Sequence, residues 1–191
     1  MRNDDNRESN GLDRTIIQGK ELENYFALNA DLRDFSDSFR EEKSDRAVAI
    51  IGAAYLDALL EHTLISFMVD DEKEVQKLLQ HDGPLGTFGG KITAAYCLGL
   101  IGTIIRDDLR LVGKIRNRFA HDLRVSFDDE AIRSWCLSLK WHEISMFAKP
   151  PEGATSRDIF QVGVNQLVCH VNGMMTLARQ DKRKVSRHSN P

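Results

Sequence analysis

Arg116, Asn117 and His121 stand close together in the stretch DLRLVGKIRNRFAHDL, residues 108–123. A guanidinium can grip a phosphate through a fork of parallel N–H donors. An imidazole titrates near neutrality and can give or take a proton. Asn117 and His121 are four residues apart, so on a helix they share a face. One reading is a phosphate-directed acid–base site at a helix end. The other is a buried polar clasp. In it Asp57 or Glu61, themselves four apart on an earlier helix, pairs with Arg116, and His121 helps to close the helix C-terminus. The clasp follows from helical phase. Ile105, Leu109, Val112 and Phe119 form an apolar stripe, and the fourth residue after Val112 is Arg116. A guanidinium is therefore expected where the core stripe should continue. Burying it costs several kcal/mol unless it is paired, so an acidic group is expected to face it.

Helices must position these groups, and the apolar periodicity supplies them. Helices are expected over residues 29–42, 44–69, 71–79, 91–100, 103–121, 128–139 and 155–179. Ser44 is a good N-cap, Asp128 is expected to cap the sixth helix, and Thr155-Ser-Arg-Asp158 reads as a capping box with Asp in place of Glu. The helix after Ser44 is apolar around much of its circumference, which places it at the centre. HDGPLGTFGG is expected to be a shaped turn whose Leu85 and Phe88 plug the bundle, because neither its spacing nor its context fits a phosphate-binding loop. SLKWHEISMF is the single stretch where a strand is tolerated. Short connections between helices imply an all-α, antiparallel helical bundle with polar tails at both ends. The expected division is a polar extension over 1–28, a single α-helical domain over 29–180, and a basic disordered tail over 181–191.

The bulk numbers exclude several classes. The 191 residues are 41% apolar and 29% charged, enough for one real core. A net charge of -3 gives the whole molecule no attraction for nucleic acid. Cys97, Cys136 and Cys169 lie singly in apolar runs and read as buried thiols in a reducing, cytoplasmic setting. No cysteine–histidine cluster has metal-ligand spacing, so neither a metal nor a cofactor is expected. The first residues lack the apolar stretch of a signal peptide, and no uninterrupted apolar run approaches the ~20 residues that span a bilayer. The helices flanking Gly102 could imitate a helix-turn-helix with Arg106, Arg110 and Lys114 as readers. Direct DNA binding is nevertheless disfavoured, since the second of them carries apolar residues on two sides and is wanted by the core. The terminal Lys182, Arg183, Lys184, Arg187 and His188 could touch phosphates nonspecifically but read as a solvated tail.

Arg116-Asn117-x3-His121 resembles the Arg-x4-His signature of the HEPN superfamily of helical bundles. DRAVAIIGAAYLDALLEHTL (45–64), GPLGTFGGKITAAYCLGLI (83–101) and DLRLVGKIRNRFAHDL (108–123), followed by SFDDEAI, resemble one branch, the bacterial mannitol operon repressor (MltR, also written MtlR) family. The likeness covers about residues 44–140. It implies an all-α fold and a homodimer. For catalytic HEPN proteins it implies metal-independent RNA cleavage in which the RNA 2′-hydroxyl attacks the adjacent phosphate. Arg116 would then stabilise the phosphorane, Asn117 would orient, and His121 would shuttle the proton. For the repressor branch it implies a transcription regulator of carbohydrate uptake that works through a protein or RNA partner.

Overall fold

The computed structural model describes residues 20–145 and 149–186, with side chains from residue 31 onward. The described residues are helical, without strands. They form α1 (Lys20–Glu41), α2 (Asp45–Phe67), α3 (Glu72–Leu79), α4 (Phe88–Cys97), α5 (Thr103–His121), α6 (Glu130–Leu137), α7 (Trp141–Ile144) and α8 (Ser156–Gln180).

α2 is the central helix. It packs most extensively on α8, then on α5 and α4. Among the described residues it alone has the length and apolar character to cross a membrane, interrupted by Asp57 and Glu61, but half of it is buried as the bundle's core helix. Leu56, Leu60 and Leu64 are fully buried in it. Gly52 lets two neighbours close in: a Cβ there would meet Phe39 of α1 and Val164 of α8 at about 3 Å. The Phe35 ring stacks on Tyr55 with centroids 3.9 Å apart, so α1 runs back antiparallel to α2. Helix α5 is antiparallel to α2 as well, since Arg46 near the start of α2 donates to the carbonyl of Asp122 at the end of α5 (2.6 Å). Helix α8 is different. Its N-terminal Arg157 meets Asp45 at the start of α2, and Arg183, just past its end, donates its backbone N–H to the carbonyl of Phe67 (2.8 Å). Helices α2 and α8 therefore run parallel, because α5 has already returned the chain to the end where α2 begins; α6 and α7 pack on α5 and α8.

Caps set the boundaries. Ser44 accepts from the N–H of Ala47, and Thr155 and Asp158 form the reciprocal capping box. Other boundaries differ from expectation. α1 begins at Lys20, inside the stretch read as a polar extension; residues 1–19 lie outside the described residues. α4 begins three residues early because Thr87 caps Gly90, so Phe88 opens the helix instead of ending the turn. Phe88 is buried and Leu85 packs against the core, as expected of the plug. The turn before it requires glycine: a Cβ on Gly86 would collide with the carbonyls of Gln80 and His81. Asp129, not Asp128, is the N-cap of α6. The stretch tolerated as a strand holds α7.

The basic tail is also corrected over its first residues. Lys182 pairs with Asp70 (3.2 Å), and the Arg183 guanidinium lies 4.4 Å above the Phe67 ring, closing the C-terminal end of α2. Residues 187–191 lie outside the described residues. Of the three thiols only Cys136 is buried; Cys97 and Cys169 are exposed, contrary to expectation. Burial pushes the Cys136 thiol up to about 12, which leaves it unreactive.

Candidate functional site

Arg116, Asn117 and His121 occupy the last turns of α5. Arg116 is half-buried, while Asn117 and His121 are exposed. The stripe expected to continue through Arg116 continues through its neighbour. Ile115 is fully buried, three residues after Val112 and four before Phe119. A helix of 3.6 residues per turn can complete a stripe by a step of three as readily as by four, and the core takes the isoleucine. Arg116 is left at the edge of the packed face.

The expected clasp does not form. Among the described residues Arg116 makes no ion pair or hydrogen bond, and Asp57 and Glu61 hold Lys91 of α4 instead. The Lys91 ammonium, with its side chain only 5% exposed, lies 2.6 Å from Glu61 Oε2 and 3.0 Å from Asp57 Oδ1. Glu61 takes the well-aligned hydrogen bond; Asp57 contributes as an ion pair whose angle falls outside hydrogen-bond geometry. Burial is the largest influence on Lys91 and pulls it down, but the two carboxylates together outweigh it and hold the ammonium above its usual range. Because Arg116 has no partner to orphan, Arg116→Ala is expected to change the unfolding free energy by no more than about 0.5 kcal/mol. A chemical denaturation curve displaced by several times that amount would show a clasp after all.

Other residues lock the end of the bundle beneath the motif. Arg118 pairs with Asp122 (3.1 Å). Asp45 accepts from the N–H of Phe127 (3.1 Å) and from Arg157 (2.9 Å), while Arg157 also donates to the carbonyls of Lys43 and Glu42. The α5 C-terminus is thus a fixed platform with Asn117 and His121 facing water. Two of the three residues considered as DNA readers are engaged elsewhere: Arg106 pairs with Asp107 and lies over Tyr96, and Lys114 lies 4.0 Å above the Trp135 ring.

A second polar junction, not anticipated, lies on the buried side of α5. Asp108 is 2% exposed and its carboxylate accepts the backbone N–H groups of Lys140 and Trp141 (2.7–3.0 Å). It supplies from a distance the cap that the α7 sequence lacks. Burial pushes Asp108 up, and the two N–H donors only partly pull it back. His142 is buried beside it, and burial holds its imidazole below 6.5, with Glu143 and Asp108 opposing. His170 is lowered for the same reason. Groups of this kind bind fewer protons folded than unfolded. Their contribution to stability is complete above the unfolded value of about 6.5 and is lost as pH falls from there through the folded pKa. The melting temperature is expected to drop between about pH 7.5 and about pH 5.5, and His142→Gln should shrink that drop. An equal drop in the variant would remove His142 from the account.

The clefts bordered by Leu137, Glu143, Pro151 and Ile159, and by Asp70 and Lys182, do not include Arg116, Asn117 or His121. Among the described residues no group of acidic, histidine and cysteine side chains is placed to hold a metal ion.

What the fold and these junctions define is an all-α bundle built around one apolar helix, with a motif displayed on a rigid helix end. No protein-family model matches the chain, and no curated protein matches it. Among solved structures, the X-ray structure of the MtlR-HPr complex from Escherichia coli contains a chain that superposes with a TM-score of 0.60 at 19% identity. The match covers 76% of this chain and 99% of that one. The bundle is therefore MtlR-like in fold.

Proposed function

We propose that this chain is an MtlR-like bacterial regulator of a carbohydrate operon, cytoplasmic and dimeric, acting through contact with a protein partner. The observation that carries this reading is the extent of the structural match: nearly the whole of a chain solved in the MtlR-HPr complex is reproduced here. Contact with a partner also suits a platform whose exposed groups are fixed from beneath, because little side-chain order is lost on binding. A DNA-reading role is disfavoured by α5, whose Ile105, Leu109, Val112 and Ile115 are committed to the core. Deleting the gene is expected to raise the transcripts of a carbohydrate-uptake operon severalfold. An unchanged transcript profile across carbon sources would count against the regulatory reading.

A second reading is favoured by one specific observation. Asn117 and His121 are exposed and share a face of α5, and Arg116 makes no ion pair among the described residues, so none of the three is committed to another group. In that case the chain is a metal-independent ribonuclease. RNA incubated with the protein in EDTA would then be cleaved, and His121→Ala would abolish the cleavage. Intact RNA with the wild-type protein disposes of this reading.

A further inference from the structure

Two clefts beside α6 and the start of α8 join into one trough. The first has a volume of about 340 Å³, and its lining includes His142, Glu143, Pro150 and Pro151. The second, of about 230 Å³, includes Asp128, Arg133, Thr155 and Ser156. Leu137, Ala154 and Ile159 line both. These shared residues are apolar yet open to water, and Leu137 is 52% exposed. The trough has the size of a small-molecule site, about 300–1,000 Å³, and the usual make-up of one: apolar walls with a few polar groups at set places.

Each end carries a group that the fold leaves unsatisfied. At one end His142 is 7% exposed, and its Nδ1 is buried without a hydrogen-bond partner. Folded proteins seldom leave a buried polar atom in that condition. Burial keeps the imidazole neutral near pH 7, so one ring nitrogen donates and the other accepts. A hydroxyl does both and suits either tautomer. Glu143 beside it is already held by Lys140 (3.2 Å). At the other end the Arg133 guanidinium makes no ion pair or hydrogen bond among the described residues. Next to it begins α8, whose first backbone N–H groups have no intrahelical acceptor. Asp158 commits its carboxylate to Thr155 (2.6 Å and 2.9 Å), so Arg133 supplies the attraction and the helix end supplies direction. Asp128 lines the same lobe and limits the negative charge it can accept. A single carboxylate suits it, whereas a doubly charged phosphate would be repelled by Asp128.

We infer that the trough binds a small hydroxy acid, with its carboxylate at Arg133 and the start of α8, its apolar body against Leu137 and Ile159, and its hydroxyl on His142. Occupancy can be felt at α5. Asp108 of α5 holds the backbone N–H of Trp141, the residue before His142, and Lys114 of α5 lies over Trp135 of α6. The inference stands apart from the regulatory reading, since a chain that contacts no partner protein can still bind the acid.

The test is a nuclear magnetic resonance titration of the full, isotope-labelled chain with four probes. The first, para-hydroxyphenylacetate, carries all three features. Phenylacetate lacks the hydroxyl, para-hydroxyphenethyl alcohol lacks the charge, and para-hydroxyphenyl phosphate carries a double charge. The hydroxy acid is expected to shift the His142 ring and Arg133 Nε–H resonances saturably, and each of the other three should bind about fivefold or more weakly. Arg133→Gln should reduce binding of the hydroxy acid to the level of the alcohol. Leu137→Trp, at an exposed position, should fill the trough and abolish binding with the melting curve unchanged. No saturable shift at His142 with any probe overturns the proposal. Equal binding of the alcohol overturns the carboxylate end, equal binding of phenylacetate overturns the hydroxyl end, and tighter binding of the phosphate overturns the single charge. Shifts that survive in Leu137→Trp place the ligand elsewhere and overturn the site.

Discussion

Lys91→Ala is expected to lower the unfolding free energy by about 3 kcal/mol, because it leaves two carboxylates facing each other without a cation. Removing one partner of a buried ion pair typically costs 3–5 kcal/mol. The lower end applies here because the side chains of Asp57 and Glu61 are 33% and 35% exposed, and water can relieve part of their repulsion. The cluster stitches α2 to α4, which is set by the tight turn at Gly86 and the plug at Phe88, so its loss should loosen both helices. The mechanism has its own control. Lys91→Met combined with Asp57→Asn and Glu61→Gln removes every charge and should recover most of the loss. Urea denaturation of the three proteins decides the matter. A Lys91→Ala curve that overlays the wild type would mean that the three groups interact too weakly to matter.

The other large effect belongs to Asp108. Asp108→Ala strips the acceptor from two backbone N–H groups at the start of α7 and should cost about 2–3 kcal/mol. Asp108→Asn keeps one carbonyl oxygen and should cost less. The pH dependence runs opposite to that of His142. With its folded pKa raised above 3.8, Asp108 makes a contribution that is greatest in acid and declines as pH rises through the folded value. Replacing it should therefore steepen the acid-side loss of stability set by His142 and His170. Hydrogen exchange at Trp141 and its neighbours reads the local effect: exchange in Asp108→Ala should accelerate there well beyond any change in α2. Uniform acceleration across the molecule would show that Asp108 holds no local structure.

The regular helices were legible because their signals are local. The periodicity of α2, α5 and α8 and the caps at Ser44 and Thr155 each depend on residues within one or two turns. What failed was the choice between equivalent local steps and anything decided across the chain. Arg116 and Ile115 are alternative continuations of the same stripe, and only the packing of Phe119 and its neighbours selects Ile115. The rule misapplied to Arg116, that a charge in an apolar stripe must find a partner, holds at Lys91 and at Asp108. Lys91 stands alone among apolar and small residues in GGKITAAYCLG, and Asp108 lies three residues after Ile105 in the α5 stripe. Both could have been found by it. Helix α7 could not, because its cap comes from Asp108, more than thirty residues away in sequence. Nor could the parallel course of α8, which is fastened at Asp45 and Phe67.

The most direct measurement on the proposed function is a calorimetric titration of the purified chain with a protein of the kind solved in complex with the structurally similar chain, the HPr protein of its source organism. The proposed function predicts saturable binding, with no cleavage of added RNA in EDTA. Absence of any binding heat, together with RNA cleavage that disappears in His121→Ala, would contradict it.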